Sequence, residues 1–454
     1  MAGFAVKFLG CKVSQADAML ARSALLAAGH AEVPEAEADL HVINTCCITS
    51  EAESKSRQST RRSLRHADRV IVAGCAVNLN ARRFGEIDSR VTPLVGTADA
   101  VAERIATEPL DGLAIGPADE RSAACADTDH EVLWRSAAGP GSGAGPGSGA
   151  GPGSGAGPGS GAGAGGRTRG FVKVQDGCDC DCAYCIIPTV RGQARSRPVT
   201  AILDEVRRRV ADGQPEMVMT GISVGDYRDR ERGLELGDLM CEVARVPGVQ
   251  RVRLSSVEVI HVRDSLLRAL ADEPKVCPHL HVPMQSGDDA VLRAMGRHYD
   301  RAEYLDHIVR LRRAAPAVNL TTDVIVGFPT EDEAAFERTL SAVDEAGISR
   351  VHVFPYSPRP GTSAERLGDR VTPQEKKRRA QVLRGRSEVH SRRHRGAKLG
   401  RALEVLIDKV ADAQCSGYTA DYTRCYLPAG AGDRGQLVTV TARELHADGL
   451  RGDA

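Results

Sequence analysis

The sequence predicts an α/β protein in three structured parts: an N-terminal three-layer α/β domain, a central partial (open) α/β barrel and a small C-terminal antiparallel β-barrel. Strands alternate with helices in the first hundred residues, and the same alternation resumes after Gly170. Beyond Arg401, short strands are separated by turns that contain Gly. We place the domain boundaries at 1–137, 138–166, 167–375 and 376–454.

The length, charge and cysteine content of the chain limit the classes of function that it can have. The 454-residue chain is long enough for several domains, each with its own core. Its formal net charge is zero, so any attraction for nucleic acid must come from local basic segments. Thirteen cysteines without a signal peptide favour reduced, metal-binding thiols in the cytoplasm over disulfides. No apolar run approaches the roughly 20 residues that span a bilayer, so we expect no membrane role.

The N-terminal domain repeats one unit three times: a strand, a loop with cysteine and a helix. The strands are followed by Gly10-Cys11, Thr45-Cys46-Cys47 and Gly74-Cys75. Because parallel strands end at the same edge of a sheet, we expect these thiols to converge. A single buried Cys is often only a small apolar residue, but three at successive strand ends favour a shared ligand. Geometry leaves both Cys46 and Cys47 open as its second thiol.

A second set of cysteines lies in the loop from Gly177 to Pro188. Cys178, Cys182 and Cys185 have the spacing C-x3-C-x2-C, so one loop can wrap three thiolates around a single iron–sulfur cluster. Such clusters ordinarily have a cysteine on every iron, and three thiolates leave one iron open for a substrate or cofactor. The alternative is a closed zinc site with Cys180 as the fourth ligand. Zinc sites usually pair two separated C-x2-C knuckles, which disfavours that alternative.

Residues 138–166 are only Gly, Ala, Pro and Ser, which predicts a disordered, flexible tether with a reach of roughly 30 Å. Cys125 and Trp134, just before it, are unassigned. Beyond the tether, six predicted strands alternate with helices, which fits a partial barrel whose site lies at the carboxyl ends of its strands. The predicted strands are 171–174, 217–220, 251–254, 279–282, 320–326 and 350–354.

The C-terminal part begins with a basic segment. Residues 376–401 carry 11 Lys or Arg against one acid, Glu388. Such a run is either a solvated helix face or an arm that contacts phosphates. Segments 402–407, 417–427 and 436–441 are predicted strands, which suggests a small antiparallel barrel of a kind that binds RNA.

The order of these motifs resembles that of the radical S-adenosylmethionine (SAM) methylthiotransferases over nearly the full length, apart from the Gly-rich insert. The matching stretches are Leu9-Gly10-Cys11-Lys12-Val13, Asn44-Thr45-Cys46, Gly74-Cys75, the loop from Cys178 to Pro188, Arg191-Gly192, Arg195-Ser196-Arg197, Arg253-Leu254-Ser255-Ser256, 281–287, 322–329, 352–357 and Pro360-Gly361-Thr362. The stretch Gly417-Tyr418-Thr419 resembles the RNA-binding TRAM domain of that family.

Residues 9–13 are most similar to the branch that modifies N6-threonylcarbamoyladenosine at position 37 of tRNA, next to the anticodon. Ser14 stands where that branch usually has Asn, and Thr330 stands where Gly usually precedes the acid Glu331. Two alternatives keep the same chemistry, on N6-isopentenyladenosine in tRNA or on a ribosomal-protein aspartate. An alternative of another class is a non-catalytic RNA-binding protein whose cysteines hold structural zinc.

The resemblance implies a radical reaction, since adenine C2 offers neither an acidic proton nor a leaving group. It implies two 4Fe-4S clusters, SAM, the anticodon loop of tRNA as substrate, and an electron donor such as flavodoxin or ferredoxin. The Cys178, Cys182 and Cys185 cluster would cleave SAM to a 5′-deoxyadenosyl radical that abstracts the hydrogen. An auxiliary cluster would deliver the sulfur, and a second SAM the methyl group. Its implied ligands are Cys11, Cys46 and Cys75, because the motif Asn-Thr-Cys selects Cys46.

Four further residues are candidates for binding SAM. Tyr184 lies between two ligands and could pack on SAM or only shield the cluster. Thr220 and Gly221 follow a strand, where they could approach the methionine part or form a plain turn. Glu258 could bind ribose hydroxyls or be a surface carboxylate. The candidates for RNA contact are Arg195 and Arg197, which could instead bind the SAM carboxylate, and Lys376, Lys377, Arg378 and Arg379.

Overall fold

A computed structural model describes residues 2–109 and 168–453. The predicted tether 138–166, with Cys125 and Trp134, lies outside the described residues. The described chain divides into two compact units. The first comprises residues 2–109, 175–195 and 359–362, and the second comprises 168–174, 196–358 and 363–453. The loop with Cys178, Cys182 and Cys185 therefore belongs to the same unit as the N-terminal cysteines.

The first unit is built on a parallel sheet of five strands in the order β2-β1-β3-β4-β5. The strands are β1 (Gly3–Phe8), β2 (Ala31–Glu32), β3 (Leu40–Thr45), β4 (Arg69–Gly74) and β5 (Val91–Pro93). The helices are α1 (Lys12–Ala27), α2 (Ser50–Ser63), α3 (Cys75–Leu79), α4 (Arg82–Gly85), α5 (Ala98–Thr107) and α6 (Ile187–Arg191).

Helices cover both faces of this sheet, which confirms the predicted three layers. Leu40 and Val42 of β3 pack with α1 and α5 in one apolar core. Alternate residues of a strand point to opposite faces. Lys7 of β1 bonds to Ser63 of α2 on the other face, and the buried positions of α2 are Ser and Thr. The small polar face of α2 lets this helix lie close to the sheet despite its lack of apolar residues.

The second unit contains six parallel strands in two sheets, β12-β9-β6 and β13-β14-β15. The six strands are β6 (Arg169–Lys173), β9 (Glu216–Thr220), β12 (Arg251–Leu254), β13 (His279–His281), β14 (Asn319–Val326) and β15 (Arg350–Pro355). Two two-residue strands of the second unit also lie between them in sequence, β10 (Arg228–Asp229) and β11 (Leu234–Glu235). Two more, β7 (Gln175–Asp176) in the first unit and β8 (Arg195–Ser196) at the boundary of the units, pair with each other. A parallel bridge between Val252 and Val276 joins the two sheets. The predicted partial barrel is thereby confirmed.

Outer helices pack against these six strands around one large apolar core. The helices are α7 (Val199–Ala211), α8 (Leu236–Ala244), α9 (Asp264–Asp272), α10 (Asp289–Ala294), α11 (Arg301–Ala314) and α12 (Glu333–Glu345). Each fully buried Val, Leu or Met of this core contributes about 1.5–3 kcal/mol. No helix among the described residues has both the length and the apolarity to cross a membrane.

The chain ends with α13 (Pro373–Gly396) and a closed five-stranded barrel in the order β16-β17-β18-β20-β19. Its strands are β16 (Ala402–Ala411), β17 (Gln414–Thr419), β18 (Arg424–Pro428), β19 (Leu437–His446) and β20 (Gly449–Asp453). The barrel is antiparallel except where β18 pairs with β20. The single strand predicted over 417–427 is wrong, because a turn at Tyr422, with φ of 68°, divides it. The sequence prediction also missed β20.

The turn between β17 and β18 lies at the amino ends of the central strands. Arg253 of β12 is buried, donates to the carbonyl of Ala420 at 2.9 Å and lies over the Tyr422 ring. Its partner carboxylate is Glu216, the first residue of β9, at 2.9 Å. Asn319, the first residue of β14, donates to the carbonyl of Asp421 at 2.8 Å. The small barrel therefore lies opposite the carboxyl ends of the central strands.

Candidate active site

Cys11, Cys46 and Cys75 follow parallel strands of the N-terminal sheet. Cys46 and Cys75 come directly after β3 and β4, and Cys11 comes three residues after the end of β1. Cys46 and Cys75 are buried and Cys11 is exposed. Gly10 has φ of +114°, and a Cβ at this position would lie 2.9 Å from the Cys46 sulfur. Glycine before Cys11 therefore permits the close approach of two thiols. The charges of Cys11 and Cys75 both act on the thiol of Cys46, so the three predicted auxiliary ligands lie near one another.

Cys47 shares this location. It is fully buried and lies beside Cys75. Cys47 and the nearby guanidinium of Arg191 lower the pKa of Cys75, whereas burial raises the pKa of Cys46 to about 12. Because Cys46 and Cys47 both adjoin other thiols, the choice of Cys46 stays a prediction.

Small polar side chains fix the backbone around these cysteines. Ser56 of α2 accepts from the amide of Cys46 at 3.1 Å and donates to its carbonyl at 3.2 Å. Asn44 donates to the carbonyl of Ser14 at 2.7 Å, and the Ser14 hydroxyl lies 3.8 Å from the Cys11 sulfur. The departure from the usual Asn at position 14 therefore adjoins a predicted ligand. Sequence reasoning gave no role to Ser14 or Ser56.

The loop with Cys178, Cys182 and Cys185 presents three partly exposed thiols. The amide of Cys180 donates to the Cys178 sulfur and that of Ile187 to the Cys185 sulfur, both at 3.4 Å. Hydrogen bonds to cysteine sulfurs are among the features that tune iron–sulfur clusters. The loop therefore supplies three thiols and two backbone donors directed at sulfurs, the residue types that hold an iron–sulfur cluster. Among the described residues, no three His, Cys, Asp or Glu side chains are grouped to hold a single metal ion.

Arg191 is a buried residue of α6 that the sequence prediction gave no role at the clusters. Its Nη2 lies 2.8 Å from Asp17 and its Nη1 3.2 Å from Asp176. Its Nε donates to the Cys75 sulfur at 3.1 Å. Burial disfavours the charge, but the carboxylates and Cys75 outweigh it and raise the pKa of Arg191. In the sequence, the family match at Arg191-Gly192 was the signal that marked this arginine, but the sequence could not show which residues Arg191 contacts.

Two hydroxyls lie at the carboxyl ends of neighbouring strands in the second unit. Thr220 is the last residue of β9, and Ser255 comes directly after β12. The amide of Ser255 donates to the carbonyl of Met219 at 2.9 Å. Both hydroxyl oxygens are buried and have no hydrogen-bond partner in the described part of the chain. Orphaned hydroxyls at this end of the strands fit a polar ligand such as SAM. Thr220 and the buried Gly221 were predicted for this role, whereas Ser255 was only part of a matching motif.

The sequence analysis left open whether Glu258 binds ribose hydroxyls or is only a surface carboxylate. In the structure, Glu258 is not isolated but is paired with an arginine. Arg297, which is buried, holds its two oxygens at 3.1 and 3.0 Å. A carboxylate fixed by a guanidinium keeps lone pairs for ligand hydroxyls. Tyr184 is half-buried within the cysteine loop. Its predicted contact with SAM stays a prediction.

The two arginines from the cysteine-loop region that were predicted to bind RNA differ in burial. Arg197 is buried, pairs with Glu205 at 2.6 Å and donates to the carbonyl of Lys173 at 2.7 Å. Arg195 is partly exposed, lies 3.3 Å from Asp176 and donates to the carbonyl of Arg191 at 2.9 Å. Arg197 is thus held inside the protein by these contacts. Of these two arginines, only Arg195 is accessible to an anion.

The four basic residues at the start of α13 also differ in their exposure to solvent. Lys376 is buried and donates to the carbonyl of Tyr356 at 2.9 Å. Arg379 is buried and pairs with Glu331 at 2.6 Å, the acid after the unusual Thr330. Lys376 and Arg379 are therefore unsuited to contact phosphate, which corrects the expectation that all four do so. Lys377 and Arg378 are exposed, and Arg378 pairs with Glu333 and Glu375.

Comparison with known proteins adds independent evidence. Residues 172–343 match the model of the Radical SAM superfamily, and residues 3–96 match Uncharacterized protein family UPF0004. A threonylcarbamoyladenosine tRNA methylthiotransferase MtaB of Thermotoga maritima is 32% identical over 98% of this chain and 95% of its own. The MtaB of Bacillus subtilis is 31% identical over 97% and 93%. The chain belongs to the radical SAM methylthiotransferase family.

Both tRNA-modifying branches of this family occur among the relatives. A tRNA-2-methylthio-N(6)-dimethylallyladenosine synthase of Oleidesulfovibrio alaskensis is also 32% identical, over 92% of this chain and 86% of its own. Identity alone therefore does not separate the two branches. A solved radical SAM methyltransferase, TsrM of Kitasatospora setae, aligns with a TM-score of 0.52 over 82% of this chain and 79% of its own. At 13% identity this likeness shows only the shared fold.

Proposed function

We propose that this radical SAM methylthiotransferase attaches a methylthio group to C2 of N6-threonylcarbamoyladenosine at position 37 of tRNA. The observation that carries the proposal is the presence of two separate sets of three thiols in one compact unit. One set follows three parallel strands, and the other lies in one short loop. One set alone would serve SAM cleavage, but sulfur insertion also requires a source of sulfur.

In this proposal each set of thiols holds a 4Fe-4S cluster, Cys178, Cys182 and Cys185 one and Cys11, Cys46 and Cys75 the other. With SAM bound, these groups supply a 5′-deoxyadenosyl radical, a sulfur atom and a methyl group. The amides of Cys180 and Ile187 stabilise the negative charge on the loop sulfurs. These amides act without conformational change, because they belong to the loop itself.

Thr220, Ser255 and Glu258 form the proposed SAM contacts in the second unit. The two orphaned hydroxyls can each donate to or accept from the polar methionine part. Arg297 fixes the orientation of Glu258, so its free lone pairs can accept from ribose hydroxyls. These three side chains would orient SAM without taking part in bond breaking.

The proposed tRNA contacts lie on α13, on the C-terminal barrel and at Arg195. Phosphate contacts dominate the affinity of proteins for nucleic acid, and this neutral chain must supply them locally. Lys377 provides exposed positive charge at the start of α13, whereas the exposed Arg378 already pairs with Glu333 and Glu375. We infer that the electron donor is a small protein such as flavodoxin or ferredoxin.

Support for the threonylcarbamoyladenosine branch comes from the motif Leu9-Gly10-Cys11-Lys12-Val13. MtaB proteins of Thermotoga maritima and Chlamydia pneumoniae, both 32% identical, match 98% and 99% of this chain. A tRNA-2-methylthio-N(6)-dimethylallyladenosine synthase of Desulfitobacterium hafniense also matches 98% of it, at 30% identity, so coverage does not separate the branches. The dimethylallyladenosine branch is the second candidate, because some of its members reach equal or higher identity.

Mass spectrometry of tRNA nucleosides from a deletion strain tests this proposal. We expect the methylthio form of threonylcarbamoyladenosine to disappear and the unmodified nucleoside to accumulate. A plasmid with the wild-type gene or with Cys180→Ala should restore the product, whereas the matched variant Cys182→Ala should not. Loss of methylthiolated isopentenyladenosine instead would assign the chain to the other branch.

A further inference from the structure

Arg191 links the two sets of cysteines within the first unit. It lies six residues after Cys185 on α6, and its Nε contacts the sulfur of Cys75 at 3.1 Å. Its two carboxylate partners are distributed in the same way. Asp176 lies two residues before Cys178, and Asp17 lies six residues after Cys11. One guanidinium therefore contacts a predicted auxiliary ligand and segments adjoining both cysteine sets.

Stability alone does not explain this arrangement. The side chains of Arg191, Asp17 and Asp176 are only 6%, 4% and 7% exposed. Buried ion pairs lose so much hydration that apolar residues of similar volume are often equally stabilising. A merely structural clamp would also not require a donor directed at a thiol. The contact between Nε and the Cys75 sulfur is therefore the feature that needs a functional account.

The planar guanidinium is suited to such a contact. Its donors form a rigid fork, so Asp17 and Asp176, bound to the two Nη atoms, fix the direction of Nε–H. Hydrogen bonds to cysteine sulfurs and the local charge set the reduction potential of an iron–sulfur cluster. A nearby cation stabilises the more negative, reduced state. Arg191 should therefore raise the potential of a cluster bound to Cys75.

We propose that Arg191 is a positioning residue that raises the reduction potential of the auxiliary cluster through its hydrogen bond to the Cys75 sulfur. Asp17 and Asp176 hold the guanidinium in place. This inference rests on the proposed function, because it requires a cluster on Cys75. Its consequence is that two clusters in one unit, served by one reductant, differ in potential.

The test uses the full chain, anaerobically reconstituted, with midpoint potentials followed by electron paramagnetic resonance. The Cys182→Ala background isolates the auxiliary cluster. In that background, Arg191→Gln should shift its potential to more negative values, and Arg191→Lys should shift it less because the charge remains. Arg195→Gln is the matched control: it also loses a contact with Asp176, at 3.3 Å, but does not touch Cys75. Its auxiliary potential should equal that of the background.

Arg191→Gln leaves two buried carboxylates with one cation fewer and can fail to fold. The double variant Asp17→Asn/Arg191→Gln removes one negative charge together with the cation, so its reference in the Cys182→Ala background is Asp17→Asn alone. Relative to that reference, the double variant should have a more negative potential with the auxiliary cluster fully loaded. A folded, fully loaded double variant with the potential of Asp17→Asn would overturn the inference and leave the proposed function intact. Absence of the second cluster from the wild-type chain would instead overturn both.

Discussion

At the residue scale, the orphaned hydroxyls of Thr220 and Ser255 point to a bound ligand. A buried hydroxyl without a partner costs about 1–3 kcal/mol. Both lie at the carboxyl ends of parallel strands, where ligands of α/β proteins bind. A ligand that bonds to both would recover this free energy.

Thr220→Val tests this interpretation, since it replaces the hydroxyl by a methyl group of similar size. Without SAM, the free energy of unfolding should stay equal or rise, because an unpaired polar group is removed. The affinity for SAM should fall about 2- to 10-fold, the equivalent of one net hydrogen bond. Thermal denaturation and titration calorimetry measure the two effects.

Thr322→Val is the matched control for Thr220→Val. Thr322 is also fully buried, but its hydroxyl donates to the carbonyl of Val282 at 2.7 Å and accepts from the amide of Met284 at 2.8 Å. Its valine variant should therefore lose stability. If Thr220→Val loses as much stability as Thr322→Val and binds SAM normally, Thr220 has no ligand role.

The two sets of thiols should differ in function. Because radical formation requires only the loop cluster, Cys11→Ala, Cys46→Ala and Cys75→Ala should each retain cleavage of SAM to 5′-deoxyadenosine and lose methylthiolation. Chromatography of 5′-deoxyadenosine and of tRNA nucleosides measures both activities. Loss of SAM cleavage while the loop cluster remains intact would contradict this division.

Cys47→Ala and Cys180→Ala are the controls for this division, and both should keep the two activities. Cys47 lies beside Cys75, so its replacement also tests whether Cys46 or Cys47 is the ligand. A clear loss of iron from Cys47→Ala, with Cys46→Ala fully loaded, would move the ligand to Cys47.

At the scale of elements, α13 has one buried face and one exposed basic face. Lys377, Arg384 and Arg392 are exposed, and their spacings of 7 and 8 residues place them on the same face. They span about 22 Å at 1.5 Å per residue. No ion pair to these three occurs among the residues that the structure describes. We name Lys377, Arg384 and Arg392 the basic stripe.

Replacing the basic stripe by Gln should weaken tRNA binding. Each lost phosphate contact lowers the log–log salt slope by about 0.7–0.9, so three should lower it by about 2–3. Filter binding across a salt series measures the slope. Arg386→Gln is the control, since Arg386 already pairs with Asp344 at 2.6 Å and should have little effect. An unchanged slope in the triple variant would show that this face of α13 is only solvated.

Asp421 joins the C-terminal barrel to α13. His394 lies 3.2 Å from its carboxylate, and Lys398 also pairs with it. Burial opposes the charge of Asp421, but the hydrogen bond from His394 and the Lys398 cation outweigh this and lower its pKa. The ionised carboxylate therefore stabilises the fold above its unfolded pKa of about 3.9. This stabilisation is lost as the pH falls through the folded pKa.

Asp421→Asn should accordingly lower the melting temperature most near pH 7, and the gap from the wild type should narrow as the pH falls below about 4. Calorimetry over a pH series measures this gap. Asp433→Asn makes the same change at an exposed barrel position and should leave the melting temperature nearly unchanged. A gap that is independent of pH would show that the ionised form of Asp421 is not the stabilising species.

At the scale of the whole molecule, the barrel cannot be treated as a removable module. Arg253 and Glu216 form a buried ion pair that the β17–β18 turn covers. Deletion of residues 376–454 would expose this pair, so single substitutions on α13 test RNA binding more cleanly than truncation.

The metal content of the whole chain separates the enzyme from a zinc-stabilised RNA-binding protein. Anaerobic reconstitution should yield about eight irons per chain with a similar amount of sulfide, as two four-iron clusters require. Cys182→Ala should retain about four. Zinc without sulfide in the purified chain would rule out both clusters. Elemental and sulfide analyses of the same sample provide the measurement.

The sequence by itself determined the family and the three-part α/β architecture, and it predicted both cysteine sets. These conclusions depend on local signals: the C-x3-C-x2-C spacing, thiols directly after strands, and the alternation of strands and helices. Residue type and short-range spacing suffice for them, because one loop or one strand end positions each cysteine. The β17–β18 turn escaped the sequence analysis because positive φ at Tyr422 has no Gly to mark it.

Only the tertiary structure decided which charged and polar side chains are available to a ligand. Lys376 and Lys377 are adjacent residues of the same type, but Lys376 is buried against Tyr356 and Lys377 is exposed. Arg191 contacts Cys75 across 116 residues of sequence. Such pairings depend on long-range packing, which a local pattern does not encode. The sequence therefore located the cysteines, and the fold selected their neighbours.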